Sequence, residues 1–516
     1  MTPRPPTAPT PTPRVGKALS AIVDAWASRR AGADARVTGI TLDSRLVEPG
    51  DLYVALPGAK VHGAAFVPQA LAAGAVAVLT DPAGEADLPA DLGVPLAVTD
   101  DVRGAMARVA DELFDRPAHE LTMFGVTGTN GKTTTTFLLA AVLRGVGLKV
   151  GTIGTLGFQL DGEDLPVART TVTTPESVDL HALLARMRDH GADAVAMEVS
   201  SHAMVLRRTE PVHFDVVGFT NLSPEHLDFH HDMADYFEAK AALFVPERAR
   251  AAVVFVDDPA GVRLAERIAG TGVTLRTLAW SAAADADYRI TGVQAGRVHL
   301  DTPSGPREFE LALPGDFNVT NAALALAMVE LAGLDVARAA AALASVAVPG
   351  RMQPVPLEEG PAVYVDFAHT PEAVRSALAA FDRDRERGRR VVVVLGCGGD
   401  RDRHKRGPMG RVAAESADLV IVTDDNPRSE DPAAIRAAVL EGARSVPGAA
   451  GRVLDGGERR AAIAHALRAA AADDVVVVLG KGHEQGQEIA GTIHQFDDAG
   501  VVAQEWARAK ERGWID

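Results

Sequence analysis

The chain has 516 residues, of which 47% are apolar, and its formal net charge is −17. This length predicts about three domains, and an acidic chain without a basic block excludes binding to a nucleic-acid backbone as the main function. The single cysteine, Cys397, excludes an internal disulfide and a cysteine-based zinc site, and no apolar run approaches the ~18 residues of a membrane span. We therefore expect a cytoplasmic protein that binds neither nucleic acid nor a membrane. We also expect a monomer.

The N-terminal part divides into a polar leader and a small domain. Residues 1–35 begin with a run of prolines and threonines, so we expect a disordered proline-rich tail followed by a leading helix. In residues 36–118, short apolar strands at 51–56 and 75–79 alternate with alanine-rich helical segments such as 67–73. This alternation predicts a small α/β domain.

A glycine-rich loop follows the apolar strand predicted at 121–126. It precedes a helix predicted at 133–145. Glycines let backbone N–H groups and the positive end of a helix converge on phosphate oxygens, so the loop predicts a nucleoside triphosphate site. Lys132 would reach the β- and γ-phosphates and Thr133 would bind Mg²⁺. The candidate nucleotide-binding residues of the loop are Gly128, Thr129, Asn130, Gly131, Lys132, Thr133 and Thr134.

The loop departs from the commonest P-loop signature at Val126, where that signature has its first glycine. This indicates a particular P-loop subclass, and the alternative is an ordinary glycine-rich turn between a strand and a helix. Further apolar strands at 149–153 and 193–199 complete repeated βα units. These units predict a mostly parallel sheet in a second domain, residues 119–349.

Three polar positions of this second domain are candidates for metal binding or catalysis. Glu198 ends an apolar strand, where a carboxylate is costly unless it meets a cation, so we interpret it as a Mg²⁺ ligand. Its alternative is a solvated residue at a strand end. His226 precedes a helix that begins near Met233, and it either completes a metal shell or serves as a structural hydrogen bonder. Lys240 lies on that helix among apolar residues, and its spacing alone favours a lysine that extends its charge to solvent.

Polar groups also gather near the predicted junction with a third domain. Asn318 and Asn321 stand at the start of an alanine-rich helix at 322–331 and could read a base edge or cap the helix. Arg351 lies at the junction, where its guanidinium could reach phosphates. Asp366 follows a strand at 362–365, and its alternative is a plain strand-to-helix cap.

The third domain, residues 350–516, contains three β-branched apolar runs at 390–395, 419–422 and 475–479. Such runs are typical of buried parallel strands, whose ligands lie beyond the carboxyl ends. Charged and amide residues gather in the three loops that follow. A ligand with both carboxylates and an ammonium group would suit this mixture, which comprises Arg401, Arg403, Lys405, Arg406, Asp425, Asn426, Arg428, Lys481 and Glu484.

Several motifs occur in one order along the chain: Gly128-Thr129-Asn130-Gly131-Lys132-Thr133, Glu198-Val199-Ser200-Ser201-His202, Glu225-His226-Leu227-Asp228, Asn318-x-x-Asn321, Gly350-Arg351 and Asp366-Phe367-Ala368-His369-Thr370-Pro371. Together they resemble the Mur ligases, the ATP-dependent amide-forming enzymes of peptidoglycan synthesis, from about residue 40 to the C-terminus. Within that family, Asp425-Asn426-Pro427-Arg428 resembles the diaminopimelate-recognition motif.

The resemblance implies an α/β protein of three domains. They are a small N-terminal domain for the UDP end of the substrate, a central P-loop ATPase domain with a parallel sheet, and a C-terminal Rossmann-like domain for the amino acid. It also implies ATP and two Mg²⁺ ions. Lys240 falls where the family has a lysine that carries a CO₂-derived carbamate, and Glu198 and His226 fall on Mg²⁺ ligands. Asn318, Asn321, Arg351 and Asp366 match nucleotide contacts.

The resemblance also assigns two substrate sites. UDP-N-acetylmuramoyl-L-alanyl-D-glutamate would be bound by Ser44, Thr173, Thr174, Ser200 and Arg208. Diaminopimelate would be bound by Arg401, Asp425, Asn426, Pro427, Arg428, Gly480 and Glu484. The implied reaction passes through an acyl phosphate, with Lys132, Lys240, Arg351 and His226 as catalytic residues.

Two positions depart from the family pattern. His62-Gly63 replaces a usual Asp-Gly pair near the uridine site, and Phe367 replaces a usual tyrosine. Two other functions are alternatives. A folylpolyglutamate synthase-like ligase shares the ATP-ligase plan, but the 425–428 motif argues against it. A regulatory P-loop nucleotide switch would be expected to carry an Asn-Lys-x-Asp motif, which the sequence lacks.

Overall fold

The computed structural model describes residues 16–58, 60–166, 172–282, 285–294 and 296–513. The proline-rich tail predicted at the N-terminus lies outside these residues. The chain forms two compact units, one with residues up to Glu310 and Asn321–Leu343, the other with Leu311–Thr320 and the residues from Ala344 onward. Across the described residues, none of the helices is both long enough and apolar enough to cross a membrane.

The first unit begins with a small α/β region. Its elements are β1 (Lys17–Ala18), α1 (Leu19–Val23), β2 (Arg29–Ala31), β3 (Arg36–Val37), β4 (Gly39–Thr41), β5 (Asp51–Ala55), α2 (Val67–Ala72), β6 (Ala77–Thr80), α3 (Pro82–Ala86), β7 (Leu96–Val98) and α4 (Val102–Leu113). Strands β4 to β7 are parallel, β2 adds an antiparallel edge, and the sheet order is β2-β7-β6-β5-β4. Strand β1 pairs separately with β3. The strands and helix predicted here are confirmed to within a few residues.

A larger sheet follows in the same unit. Its elements are β8 (Thr122–Thr127), α5 (Lys132–Gly145), β9 (Val150–Gly154), β10 (Gly157–Leu160), β11 (Glu163–Asp164), α6 (Ser177–Asp189), β12 (Ala194–Glu198), α7 (Ser201–Val205), β13 (Phe214–Phe219), α8 (Met233–Ala241), β14 (Ala249–Phe255), α9 (Pro259–Ile268), β15 (Thr274–Ala279), β16 (Tyr288–Gln294), β17 (Arg297–Asp301) and β18 (Arg307–Glu310). The eleven strands have the order β11-β10-β9-β12-β8-β13-β14-β15-β16-β17-β18.

The middle of this sheet is parallel, as the sequence predicts, and antiparallel strands extend both edges. Strand β8 lies between β12 and β13. Because carboxyl ends of parallel strands meet at one edge, the loops after these three strands come together. This topology brings the glycine-rich loop beside Glu198 and the loop that contains His226.

The helices α10 (Asp316–Leu331) and α11 (Val336–Ala340) come next. Helix α10 begins at Asp316 and not at residue 322 as predicted. Gly315 has a φ of +96°, a left-handed conformation that separates the preceding segment from the helix. Asn318 and Asn321 therefore lie within the helix, so the capping alternative for these amides is wrong.

The second unit contains a six-stranded sheet. Its elements are β19 (Gln353–Val355), β20 (Ala362–Asp366), α12 (Pro371–Ala379), α13 (Asp382–Glu386), β21 (Val391–Cys397), α14 (Arg406–Ser416), β22 (Leu419–Asp424), α15 (Pro432–Arg444), β23 (Val453–Gly457), α16 (Arg459–Ala469), β24 (Val475–Leu479), β25 (Gly486–Ile489), β26 (Thr492–Gln495) and α17 (Asp498–Glu511). Short 3-10 helices cover Gly63–Phe66, Pro117–Glu120, Ala341–Ser345 and Ala450–Arg452.

The strand order of this sheet is β19-β20-β24-β21-β22-β23, parallel except for the edge strand β19. Alternate residues of β21 enter different cores: Val391 and Val393 pack in one apolar cluster, Val392 and Val394 in another. Helices therefore cover both faces, which explains why the strand is a continuous apolar run. The loops after β21, β22 and β24 lie at one edge of the sheet.

Candidate active site

The glycine-rich loop bends tightly between β8 and α5. Gly128 has a φ of +147° and Gly131 a φ of +87°. A Cβ atom on Gly128 would lie 1.9 Å from Thr220 Oγ1, and one on Gly131 would lie 2.6 Å from Asn321 Oδ1. Both positions therefore require glycine. Helix α5 starts directly after the loop, so its positive end faces the space above the loop.

The loop is bound on one side by the segment that follows β13. Asn130 N donates to Asn221 Oδ1 at 2.9 Å, and Asn221 Nδ2 returns a bond to Asn130 O at 3.1 Å. Thr129 N also donates to Asn221 O at 2.9 Å. Asn221 is not among the site residues that the sequence motifs indicated. Its position just beyond a strand that pairs with β8 is the signal that could have indicated it.

Two lysine ammonium groups converge on the loop. Lys132 Nζ donates to Gly128 O at 3.0 Å and to Thr129 O at 2.8 Å. Lys240 Nζ donates to the same Gly128 O at 2.6 Å and lies 4.5 Å from the ring centroid of Tyr236. Lys240 is 1% exposed, so the prediction of a lysine that extends to solvent is wrong. Burial, and then the charge of Lys132, hold the pKa of Lys240 well below its usual range.

Glu198 is fully buried at the carboxyl end of β12. Its Oε2 accepts from Thr133 Oγ1 at 3.0 Å and from Thr155 Oγ1 at 3.1 Å, and its Oε1 accepts from Thr155 N at 2.8 Å. All of these donors are uncharged. The alternative of a solvated strand-end residue is therefore wrong. Thr155 is a partner that no sequence motif indicated.

His226 faces the same space from the loop before α8. Its backbone has a φ of +57°, and its ring meets the ring of His202 edge-on with centroids 4.8 Å apart. Burial lowers the pKa of the His226 imidazole; Glu225 opposes this shift, and the charges of Lys132 and Lys240 reinforce it. His226 thus lies within electrostatic reach of both lysines. Among the described residues, no group of three or more His, Cys, Asp or Glu side chains could hold a metal ion.

A chain of hydroxyl groups connects Glu198 to the residues predicted to bind the muramoyl peptide. Thr174 Oγ1 donates to Glu198 O at 2.8 Å, and Ser200 N donates to Thr174 Oγ1 at 3.1 Å. Thr173 Oγ1 lies 3.2 Å from Thr155 Oγ1. Arg208 Nη1 donates to Thr174 O at 3.2 Å. The structure thus brings Thr173, Thr174, Ser200 and Arg208 together.

The remaining predicted residues of the first unit lie either beside the glycine-rich loop or in the small N-terminal region. Asn321 Oδ1 accepts from Thr135 Oγ1 at 3.2 Å, beside the glycine-rich loop. Thr134 is buried in the first turn of α5. Ser44 belongs to the small N-terminal region, where its Oγ donates to Gln69 Oε1 at 3.1 Å.

The predicted nucleotide contacts of the second unit include Arg351 and Asp366. Asp366 accepts from Met352 N at 2.7 Å and from Ala368 N at 2.8 Å, so its carboxylate caps the turn after β20. Burial raises the pKa of Asp366, and the charge of Arg351 opposes this shift. The guanidinium carbon of Arg351 lies 4.4 Å from the ring centroid of Phe367. Asn318, also in this unit, donates from Nδ2 to Pro314 O at 2.7 Å.

A polar network joins the loops after β22 and β24. Lys481 is fully buried, and its Nζ donates to Asn426 Oδ1 at 3.2 Å, to Glu484 Oε2 at 3.0 Å and to Gly486 O at 2.6 Å. Asn426 Nδ2 also donates to Glu484 Oε2 at 2.7 Å. The predicted contacts Asn426 and Glu484 are therefore fixed by the ammonium group of Lys481, a residue that the sequence pattern placed among the charged groups of these loops but that the family resemblance did not assign.

The other predicted contacts surround this network. A Cβ atom on Gly480 would lie 2.6 Å from Asp425 Oδ2, so the loop after β24 approaches Asp425 closely. Arg428 Nη1 donates to Gly399 O at 2.6 Å. A Cβ atom on Gly398 would lie 3.0 Å from Arg428 Nη1 and 3.9 Å from Arg401 Cγ. Pro427 O lies beside this segment and accepts from Glu430 N at 3.0 Å.

Three family descriptions match the chain in sequence. "Mur ligase family, catalytic domain" matches residues 36–112, "Mur ligase middle domain" matches 126–329, and "Mur ligase, glutamate ligase domain" matches 350–482. The chain belongs to the Mur ligase family. The α/β fold and the resemblance drawn from the sequence motifs are confirmed.

Similar Mur ligases cover nearly the whole chain. A Streptomyces avermitilis protein named UDP-N-acetylmuramoyl-L-alanyl-D-glutamate--2,6-diaminopimelate ligase is 49% identical over 91% of this chain and 92% of its own length. A Corynebacterium glutamicum protein of the same name is 47% identical over 90% of each chain. A solved structure under that name has a TM-score of 0.68 at 31% identity and covers 96% of this chain and 99% of its own.

Proposed function

We propose that this Mur ligase is a UDP-N-acetylmuramoyl-L-alanyl-D-glutamate--2,6-diaminopimelate ligase, which uses ATP to form an amide in peptidoglycan precursor synthesis. The observation that carries the proposal is a cluster of side chains around one P-loop, which comprises Lys132, Lys240, Glu198 and His226. Hydrogen bonds of Thr174 connect this cluster to Ser200 and Arg208. This arrangement suits a reaction between a polyphosphate and a carboxylate. It also explains why the site combines several cations with few acids.

The reaction joins two anions before it forms the amide. The D-glutamyl carboxylate attacks the γ-phosphorus of ATP, the bond to ADP breaks, and an acyl phosphate results. The amine of diaminopimelate then attacks the acyl carbon, phosphate leaves and the amine loses a proton. Because the reactants repel each other, the contribution of the chain is to neutralise and align them. We assign this role to Lys132, to the N–H groups of residues 128–134 and to the N-terminus of α5.

The donor set at Glu198 fits a magnesium ion. A fully buried carboxylate whose described partners are uncharged hydroxyl and amide groups is costly to bury, and a divalent cation would offset that cost. Carboxylate and hydroxyl oxygens are hard ligands of the kind that Mg²⁺ prefers. We propose Glu198, Thr133 and His226 as protein ligands. When bound, Mg²⁺ supplies charge neutralisation at the phosphate oxygens.

The surroundings of Lys240 fit modification by CO₂. Its amine is enclosed and lies beside a second lysine, which favours the neutral form that reacts with CO₂. A carbamate would replace this buried neutral amine by an anionic group. We propose that this group adds an anionic ligand to the magnesium site. Among the described residues, the site has fewer than three acidic or histidine side chains without it.

We assign the substrate contacts as the resemblance implies. Thr173, Thr174, Ser200 and Arg208 would bind the muramoyl peptide, with Ser44 in the N-terminal region for its UDP end. Asn318, Asn321, Arg351 and Asp366 would contact the nucleotide. Arg401, Asp425, Asn426, Pro427, Arg428, Gly480 and Glu484 would bind diaminopimelate. We also propose the division into residues 36–118, 119–349 and 350–516 as the three functional domains.

Two observations disfavour the alternative functions. The relatives at 47% to 49% identity have names that specify diaminopimelate ligases and not folylpolyglutamate synthases. A nucleotide switch gives no reason for a buried lysine on the P-loop or for the network around Asn426.

A coupled assay of ADP release tests the proposed function. We expect release with UDP-N-acetylmuramoyl-L-alanyl-D-glutamate and diaminopimelate together, and little release when either is omitted. The panel contains other diamino acids and glutamate with a folate acceptor. Release with nucleotide alone contradicts the ligase and supports the switch, whereas release with the folate acceptor supports the folylpolyglutamate alternative.

A further inference from the structure

The loop Asp425–Arg428 is bound along its length by the short strand β25. Gln487 Nε2 donates to Asp425 O at 2.6 Å, and Glu488 N donates to Asn426 Oδ1 at 3.0 Å. Arg428 N donates to Glu488 O at 2.9 Å, and Ala490 N donates to Arg428 O at 2.7 Å. The β25–β26 hairpin therefore fixes the backbone of Arg428, whose φ is +52°.

The guanidinium of Arg428 has one side closed by backbone. Nη1 donates to Gly399 O at 2.6 Å, and the Cβ position of Gly398 lies 3.0 Å from the same nitrogen. The Nη1 side is therefore covered by residues 398–399. A carboxylate that pairs with two guanidinium nitrogens uses either the Nη1–Nη2 edge or the Nε–Nη2 edge. The backbone contacts favour the second edge for an incoming ligand.

A carboxylate of the chain already lies at that second edge. Glu488 Oε2 is 3.4 Å from Arg428 Nε, and the two side chains are 40% and 22% exposed, respectively. The 3.4 Å separation makes this an ion pair of loose geometry, longer and therefore weaker than a bidentate hydrogen-bonded pair. Because Glu488 is half-open to solvent, its side chain can rotate away without opening the hairpin.

We propose that the carboxylate of Glu488 is an internal competitor, which occupies Arg428 in place of the far carboxylate of diaminopimelate and is displaced when the amino acid binds. The inference rests on the proposed function, since it needs Arg428 as a contact of that amino acid. Glu488 keeps the guanidinium partnered and oriented in the free protein.

Removal of the competing charge tests this inference. In Glu488→Gln the KM for diaminopimelate should fall about two- to fivefold, the range expected for a partly exposed ion pair. The KM values for ATP and for the muramoyl substrate should not change. Glu488→Ala should change the KM in the same direction, which separates the effect from a defect of one variant. Glu359→Gln removes an equal charge from an exposed position of the same unit and should leave all KM values unchanged.

The Arg428→Lys variant shows whether the effect of Glu488→Gln on the KM for diaminopimelate depends on Arg428. On Arg428→Lys, which cannot form the same planar pair, Glu488→Gln should no longer lower the KM for diaminopimelate. An unchanged or higher KM in both Glu488 variants overturns the inference, and so does an equal fall in Glu359→Gln. Failure of the wild-type protein to use diaminopimelate overturns the proposed function itself, and that result is visible before any variant is compared.

Discussion

Lys132 and Lys240 donate to the same acceptor, the carbonyl oxygen of Gly128, at 3.0 and 2.6 Å. The first lysine comes from the start of α5 and the second from α8. Two cationic side chains at one carbonyl repel each other, which is one reason that the pKa of the buried Lys240 is lowered. The pair therefore supports the proposed division of roles, in which Lys132 binds phosphate and Lys240 is modified.

Replacement of Lys132 by alanine should nearly abolish turnover. A fixed positive charge at a transferring phosphoryl group typically contributes about a hundredfold or more in rate. We expect kcat to fall by at least that factor in the coupled assay, while the far-ultraviolet circular dichroism spectrum stays unchanged. Lys149→Ala, at a lysine that donates to His190 O away from the loop, is the control and should keep its activity.

Lys240→Ala should lose activity to a similar degree, and an added short carboxylic acid such as formate should restore part of it. The cavity left by the side chain would admit an anion that substitutes for the carbamate. Activity is measured against formate concentration, with formate-treated Lys132→Ala as a control that should not recover. Near-normal activity of Lys240→Ala without formate would remove the carbamate from the mechanism.

The sequence patterns predicted the features that depend on residues close together in the chain. The strand, loop and helix around Gly128 and the buried apolar runs of the second unit follow from composition and periodicity, and a carboxylate that ends an apolar strand indicated Glu198. Side-chain contacts that depend on which strands and loops are neighbours could not be predicted from these patterns. Thr155 meets Glu198 because the non-consecutive strands β9 and β12 are neighbours. Glu488 meets Arg428 because a bridge between Arg428 and Ile489 holds β25 against the loop after β22. A side chain in such a position carries no signal in its own segment.

Glu176 should prove to be a positioning residue for the muramoyl substrate. Its Oε1 accepts from Arg208 Nε at 2.8 Å, and its Oε2 pairs with Arg103 Nη1 at 3.2 Å. Glu176→Gln weakens both contacts, so the KM for the muramoyl substrate should rise about threefold to tenfold while kcat changes little. Glu112→Gln, which removes the partner of the exposed Arg116, is the matched control. An equal rise for ATP would indicate a general structural defect instead.

Arg428 should determine selectivity for diaminopimelate over L-lysine. Lysine lacks a carboxylate at its far end and cannot form a bidentate pair with the guanidinium. The ratio of kcat/KM values for the two amino acids should be large in the wild type and should fall at least tenfold in Arg428→Ala, mainly through loss of diaminopimelate turnover. Equal use of both amino acids by the wild-type protein contradicts the assigned contact.

Low pH should lower the folding stability of the second unit because it protonates Glu430. Its carboxylate accepts from Arg406 Nη1 and Nη2 at 3.2 and 2.9 Å and from Asp400 N at 2.7 Å. The bonds from Arg406, and then the bond from Asp400, lower the pKa of Glu430 from 4.5 to about 2. A lowered carboxyl pKa stabilises the folded state above the unfolded value and loses that effect as pH falls toward the folded value. The urea midpoint of wild type should therefore exceed that of Glu430→Gln at pH 6, and the difference should shrink steadily from about pH 4.5 to pH 3. Glu359→Gln, at an exposed position, should show no such convergence, and a difference that stays constant with pH would mean that the Arg406 pair does not act through ionisation.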